Sequence, residues 1–117
     1  MTPDELRKRL AQFAVRMEAL TRPMIDATAT RDAALQLRRA STSAAANHRA
    51  AGRGRSRAEF ASKLSVALEE ADESLYWLEH LVDCGYASRS GTQPLVTEAK
   101  ELVAILTRSV ETTRRRR

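Results

Sequence analysis

Apolar residues recur at helical spacing along nearly the whole chain. Leu6, Leu10, Phe13, Met17 and Leu20 follow one another at intervals of four, three, four and three, a single stripe on one helix face. Thr2-Pro3-Asp4-Glu5 opens that helix with a threonine N-cap, proline at the first helical position, acids in the first turn and a capping box to Glu5. Arg22-Pro23 closes it, because the residue before proline avoids the α region. A second helix is expected from about Met24 to Ala50, with a soft start at Thr28 and Thr30. Its inward positions, Ala33, Leu37, Ala40, Ala44, Asn47 and Ala51, are mostly alanine. It carries little bulk of its own and must be covered by larger side chains from its neighbours.

Gly52 and Gly54 then break the pattern, as residues that readily leave helical φ/ψ. Ser56 restarts it, and with Glu59 forms a second capping box. The third helix runs from Arg57 to about Cys84, with Gly85 just past its end. Phe60, Leu64, Ala67, Ala71, Leu75, Leu78 and Val82 make its main stripe, and Leu68, Trp77 and Leu81 widen the apolar surface. Tyr86–Gln93 reads as a polar loop. Pro94 is expected to open a fourth helix, with Leu95, Ala99, Leu102 and Leu106 on one line and Val96, Val103 and Val110 on another. The pattern predicts an all-α protein, an antiparallel up-down-up-down four-helix bundle over residues 1–113 with a basic C-terminal tail at 114–117. The middle helices, at roughly 27 residues, would span about 40 Å, and the outer two would be nearer roughly 18 residues. That mismatch leaves apolar surface on the long pair. A homo-oligomer is therefore expected, with Tyr76 and Trp77 at or near a subunit boundary.

Composition narrows the class. A chain of 117 residues suits one domain with a modest core. Aromatics at 4% and the lack of alternating β-branched runs agree with helices throughout. No apolar run approaches the roughly 18 residues of a membrane span, and the N-terminus has no signal-peptide apolar region. One cysteine, Cys84, excludes an internal disulfide and suits a reducing cytoplasm. It reads as a small buried hydrophobe at a helix end. The formal net charge of +5 points to an acidic partner.

Where that charge sits matters more than its sum. Arg49, Arg53, Arg55 and Arg57 crowd the elbow between the second and third helices, and Glu59 is the only acid within nine residues of Gly54 on either side. In this topology the elbow, the N-terminus and the C-terminus share one end of the bundle. Arg114, Arg115, Arg116 and Arg117 therefore join the elbow, with Arg7, Lys8 and Arg9, in one basic pole. Folding the hairpin about residue 54 sets Arg38 and Arg39 opposite Glu69, Glu70 and Glu73, so inner ion pairs are expected, above all Arg39 with Glu70 or Glu73. Catalysis is not expected. Di-iron bundles need Glu-x-x-His, but Trp77 stands three residues before His80 and Ala45 before His48. No nucleophile-elbow, P-loop or zinc spacing occurs, so no metal or cofactor is expected.

Gln36, Arg39-Ala40, Ser43 and Asn47, then Gly52, Arg55, Ser56 and Glu59-Phe60, resemble a pattern of small bacterial four-helix-bundle proteins. That family was first noticed in intervening sequences of large-subunit ribosomal RNA genes. Ala67, Glu70, Ala71, Glu73, Tyr76, Trp77, Leu78, Gly85 and Tyr86 extend the resemblance along the third helix. The chain departs from the family at Asn47-His48-Arg49-Ala50-Ala51, where Asn-Ile-Ala-Glu-Gly is frequent, and the change makes the elbow more basic. The resemblance implies a homopentameric ring and no catalytic activity. It also implies kinship with the accessory variability protein of diversity-generating retroelements, a basic pentamer that binds nucleic acid and a reverse transcriptase. The expected function is a non-catalytic oligomeric protein that binds an RNA or DNA backbone, or accompanies a ribonucleoprotein, through its basic pole. The alternative is a protein-interaction scaffold, for a reverse transcriptase or another acidic partner.

Overall fold

The N-terminal capping box forms as its residues require. Thr2 Oγ1 accepts the Glu5 N–H at 3.1 Å, and the Glu5 carboxylate accepts the Thr2 N–H at 3.4 Å. The structure, a computed structural model, describes residues 1–116, so Arg117 of the expected tail lies outside the described residues. Among them run four α-helices: α1 (Pro3–Thr21), α2 (Thr28–Ala51), α3 (Arg57–Asp83) and α4 (Arg89–Arg115), with a 3-10 turn at Arg22–Met24 after α1. Each helix packs on the next, and α4 returns against α1. The result is the antiparallel up-down-up-down bundle, 46 Å long and about half as wide.

Leu6, Leu10, Phe13 and Met17 bury together against Leu37, Leu78, Leu81, Leu102 and Leu106. α2 begins at Thr28, four residues later than expected, because the 3-10 turn occupies Arg22–Met24. Its buried positions are Thr30, Ala34, Leu37, Ala40, Ser41, Ala44 and Ala51, so Ala34 takes the place expected for Ala33. Asn47 is only half-buried and donates to the Ser43 carbonyl at 2.9 Å.

The two turns differ in kind. Gly54 sits where space is tight: a Cβ there would lie 3.1 Å from the Ala51 carbonyl oxygen and 3.2 Å from the Phe60 nitrogen. Gly85 is needed for its backbone, with φ +80°. It completes a Schellman motif, with the Tyr86 N–H reaching Leu81 O at 2.9 Å and the Gly85 N–H reaching Val82 O at 3.0 Å. Cys84, at the C-cap, is exposed rather than buried, since it falls beyond the last inward positions, Leu81 and Val82.

α4 corrects the sequence reading most. It starts at Arg89, not Pro94, and at 27 residues it matches α3. Ser88 caps it by accepting the Gly91 N–H at 2.9 Å. Pro94, the sixth residue of the helix, has no N–H for the Ser90 carbonyl, and both residues are exposed, so water can meet that carbonyl and the missing bond is tolerated. The helix also continues through Arg114 and Arg115, so the first tail arginines are held on a helix rather than on a separate segment. α1, with 19 residues, is left as the one short helix.

The register of the α2–α3 hairpin also differs from a fold about residue 54. Ser43, rather than Arg38 or Arg39, stands beside Glu70. After α2 the chain runs onward through turn bonds from Arg53 to Ala50 and from Gly54 to Ala51, so the first turn of α3 stands past the end of α2. Phe60 is accordingly 38% exposed instead of leading the buried stripe. The expected pairs of Arg38 and Arg39 with Glu70 and Glu73 do not form in this register. Arg38 turns to α1 instead, donating to Thr21 Oγ1 at 2.7 Å and to the Glu18 carbonyl at 3.1 Å, with the Glu18 carboxylate at 3.6 Å. It thereby caps the C-terminal end of α1 at one carbonyl, that of Glu18. Arg39 is exposed and has no ion-pair partner among the described residues.

Candidate functional site

The end of the bundle shared by the α2–α3 elbow, the start of α1 and the end of α4 holds a cavity. It is open and has a volume of about 940 Å³. Met1, Leu6, Phe60, Leu64 and Ile105 supply its apolar walls. Arg57 from the elbow and Arg108 and Arg116 from α4 stand among its lining residues. A second depression brings Arg114 against Ala58, Ala61, Ser62 and Ser65 of α3. Elbow and tail arginines, nearly 60 residues apart in sequence, are thus brought to one pole by the topology.

Not every cation expected there is free. Asp4 pairs with Arg7 and Lys8, which hold its carboxyl below the ordinary carboxylate range. Arg9 forks onto Glu98 of α4, with Nε at 3.0 Å from one oxygen, and reaches Glu101 at 3.1 Å. Its hydrogen bond to Glu98 raises its pKa, and burial works against that rise. Arg9 is therefore a strut between α1 and α4 rather than part of the basic pole. Arg49, Arg53, Arg55, Arg57, Arg114, Arg115 and Arg116 make no ion pair among the described residues, and all seven are exposed. Asp4, Glu98 and Glu101 are engaged with Arg7, Lys8 and Arg9, and leave these seven cations unneutralised.

Glu70 and Glu73, without arginine partners, lie half-buried on α3. Burial pushes the Glu70 carboxyl up, with Glu73 and Glu69 adding to the rise and the Ser43 hydroxyl opposing it. Glu73 accepts the Trp77 indole N–H at 3.3 Å. Trp77 is half-buried and Tyr76 is 58% exposed, and both rings contact His80, one edge-on and one stacked. They form an aromatic patch on α3.

Two residues of the pole were not singled out by sequence reasoning. His48 lines the cavity, and its Nδ1 is buried without a hydrogen-bond partner. Burial, with the charge of Arg7 adding to it, lowers its pKa and so favours the neutral ring. Arg108 lines the same cavity. The available signal was its place on α4, three residues after Ile105 and four before Thr112, on a flank outside both apolar lines.

The model of a family described as 23S rRNA-intervening sequence protein matches residues 5–108. A solved structure from Bacteroides thetaiotaomicron, of a protein with unknown function from the S23 ribosomal protein family, is 31% identical in sequence. It superposes with a TM-score of 0.87, over 95% of this chain and 99% of that one. No curated protein matches the chain. Matched by that model over residues 5–108, most of its length, the chain belongs to the 23S rRNA-intervening sequence protein family.

Proposed function

We propose that this protein is a non-catalytic, oligomeric nucleic-acid-binding or ribonucleoprotein-accessory protein acting through its basic pole. The observation that carries the reading is the meeting of elbow and α4 arginines at one end of the bundle without acidic partners. Unpaired guanidinium groups suit bidentate contact with phosphate, and all the cations named in the elbow and tail are arginine. Phosphate contacts fix orientation but carry no base sequence, so binding follows backbone charge and shape with little selectivity among sequences. The partners are RNA or DNA and, within a ribonucleoprotein, a protein such as a reverse transcriptase. The setting is cytoplasmic. No helix among the described residues is long and apolar enough to cross a membrane.

Self-association belongs to the same proposal. Exposed Tyr76 and half-buried Trp77 supply an apolar boundary, and a pentamer is favoured by the family resemblance. A ring would set five poles on one face, and linked weak sites gain avidity through effective concentration. The aromatic patch also favours a second reading, a protein-interaction scaffold. Salt separates the two: phosphate binding weakens steeply between 50 and 200 mM salt, whereas apolar docking hardly changes. The test is a salt titration of RNA and DNA binding, with light scattering for assembly. Binding insensitive to salt would favour the scaffold, and a compact 13.0 kDa monomer at micromolar concentration would overturn the oligomer.

A further inference from the structure

We infer that the cavity at the basic pole is a base pocket, which receives one unstacked base of a single-stranded nucleic acid while the surrounding arginines hold its flanking phosphates. The inference rests on the nucleic-acid reading above and adds to it a preference that backbone contacts alone do not produce. The lining supplies each part of a nucleotide with a matching surface. Phe60, 38% exposed, offers an aromatic face on which a base can stack. Leu64 and Ile105 continue the apolar wall behind it. Arg57 at the start of α3 and Arg108 and Arg116 of α4 place positive charge around the same space, as an anion at the opening requires.

The polar groups within the lining favour a base over a plain acyl chain. Ser109 and Thr113 give their hydroxyl protons to the Ile105 and Ser109 carbonyls, at 3.1 and 2.9 Å, so their oxygens remain acceptors on the cavity wall. Exocyclic amines of a base are donors for such acceptors. The volume, about 940 Å³, lies at the upper end of the ~300–1,000 Å³ range of small-molecule sites and leaves room for a base with its sugar and phosphate.

The experiment compares a 12-nucleotide single-stranded RNA with the same backbone made abasic throughout, on the full-length protein at several salt concentrations. Wild type is expected to bind the base-bearing strand at least about fivefold more tightly, the lower range of one stacked base. Phe60→Ala should erase that difference and leave the salt slope intact, because no arginine is touched. Ala58→Trp, placed at an exposed lining alanine, should do the same by filling the cavity. Circular dichroism melts check that both variants fold, and Phe60→Trp should retain the preference. Equal affinity of wild type for both strands, or a preference that survives both Phe60→Ala and Ala58→Trp, overturns the base pocket while salt-sensitive binding keeps the wider reading. Absence of salt-sensitive binding to either strand overturns that reading, and the pocket with it.

Discussion

The two poles of the bundle are built from the same helices and differ in how their charges are settled. At the pole of the α1–α2 and α3–α4 connections, cations have acids within reach: Arg89 meets Asp83 at 3.3 Å, and Arg38, farther along α2, meets both the carboxylate and the carbonyl of Glu18. Arg22 and Arg31 have Asp26 and Asp32 close by in sequence. At the opposite pole the elbow has Glu59 alone against four arginines, and the end of α4 adds more. One pole is closed by ion pairs and a Schellman turn, and the other is open, cationic and hollowed by a cavity. A net charge of +5 says little until its excess is located, and here the topology concentrates it.

The strongest way to break the comparison is to invert each pole in turn. Arg53, Arg55 and Arg57 changed together to glutamate should lower RNA or DNA affinity at 50 mM salt by on the order of 100-fold, with the log K against log salt slope shallower by about 2 to 3. Deleting residues 114–117 should act in the same direction. Arg22, Arg31 and Arg89 changed to glutamate alter net charge equally, yet should cost far less affinity. Similar losses from both triple variants would mean that overall charge, not the pole, governs binding.

Stability should show the opposite preference. Arg38→Ala removes hydrogen bonds to Thr21 and to the Glu18 carbonyl, and a loss of roughly 1–3 kcal/mol is expected for bonds made by a charged group. Arg53→Ala, at an exposed unpaired site, should stay within about 0.5 kcal/mol of wild type. Chemical denaturation of the two variants measures the contrast, and equal midpoints would contradict the capping role of Arg38.

Acid should sharpen the difference further. The folded His48 has a lowered pKa, so below about pH 6.5 the unfolded chain takes up a proton that the folded chain resists. Stability therefore falls as pH drops from 7 toward 5, and His48→Leu should flatten that part of the pH profile. Glu70 runs the other way and should be the smallest effect. Its raised pKa means that its contribution is fully present below its unfolded value near 4.3 and is lost as pH rises through its folded value. Glu70→Gln should therefore melt slightly above wild type at pH 7, by a few tenths of a kcal/mol at most, and match it near pH 4. Thermal melts across that range test both signs.

Local chemistry was legible from the residues alone. The Thr2 and Ser56 caps, the apolar stripe of α1, the close of α3 at Gly85 and the meeting of elbow and tail at one pole all depend on spacings within a few turns or on helix count. The start of α4 was misread because Pro94 is a louder signal than Ser88, although the serine makes the cap. Phe60 was assigned to the interior by period and Cys84 by residue type, but neither says whether a neighbouring helix extends far enough to cover the position.

What the sequence by itself determined is therefore the set of helices, their antiparallel order and the unbalanced charge at the elbow, since capping, periodicity and connection length act over short distances. Tertiary structure alone decided the register of α2 on α3, which gives Arg38 to Glu18 and leaves Glu70 beside Ser43. It also decided that Arg9 binds Glu98 across the bundle and that His48, Phe60 and Arg108 surround one cavity. The physical reason is that a helix can slide along its neighbour by a turn with its apolar stripe still buried. Sequence period selects the face that packs, while the turn geometry and the summed packing of all four helices select the level at which it stops.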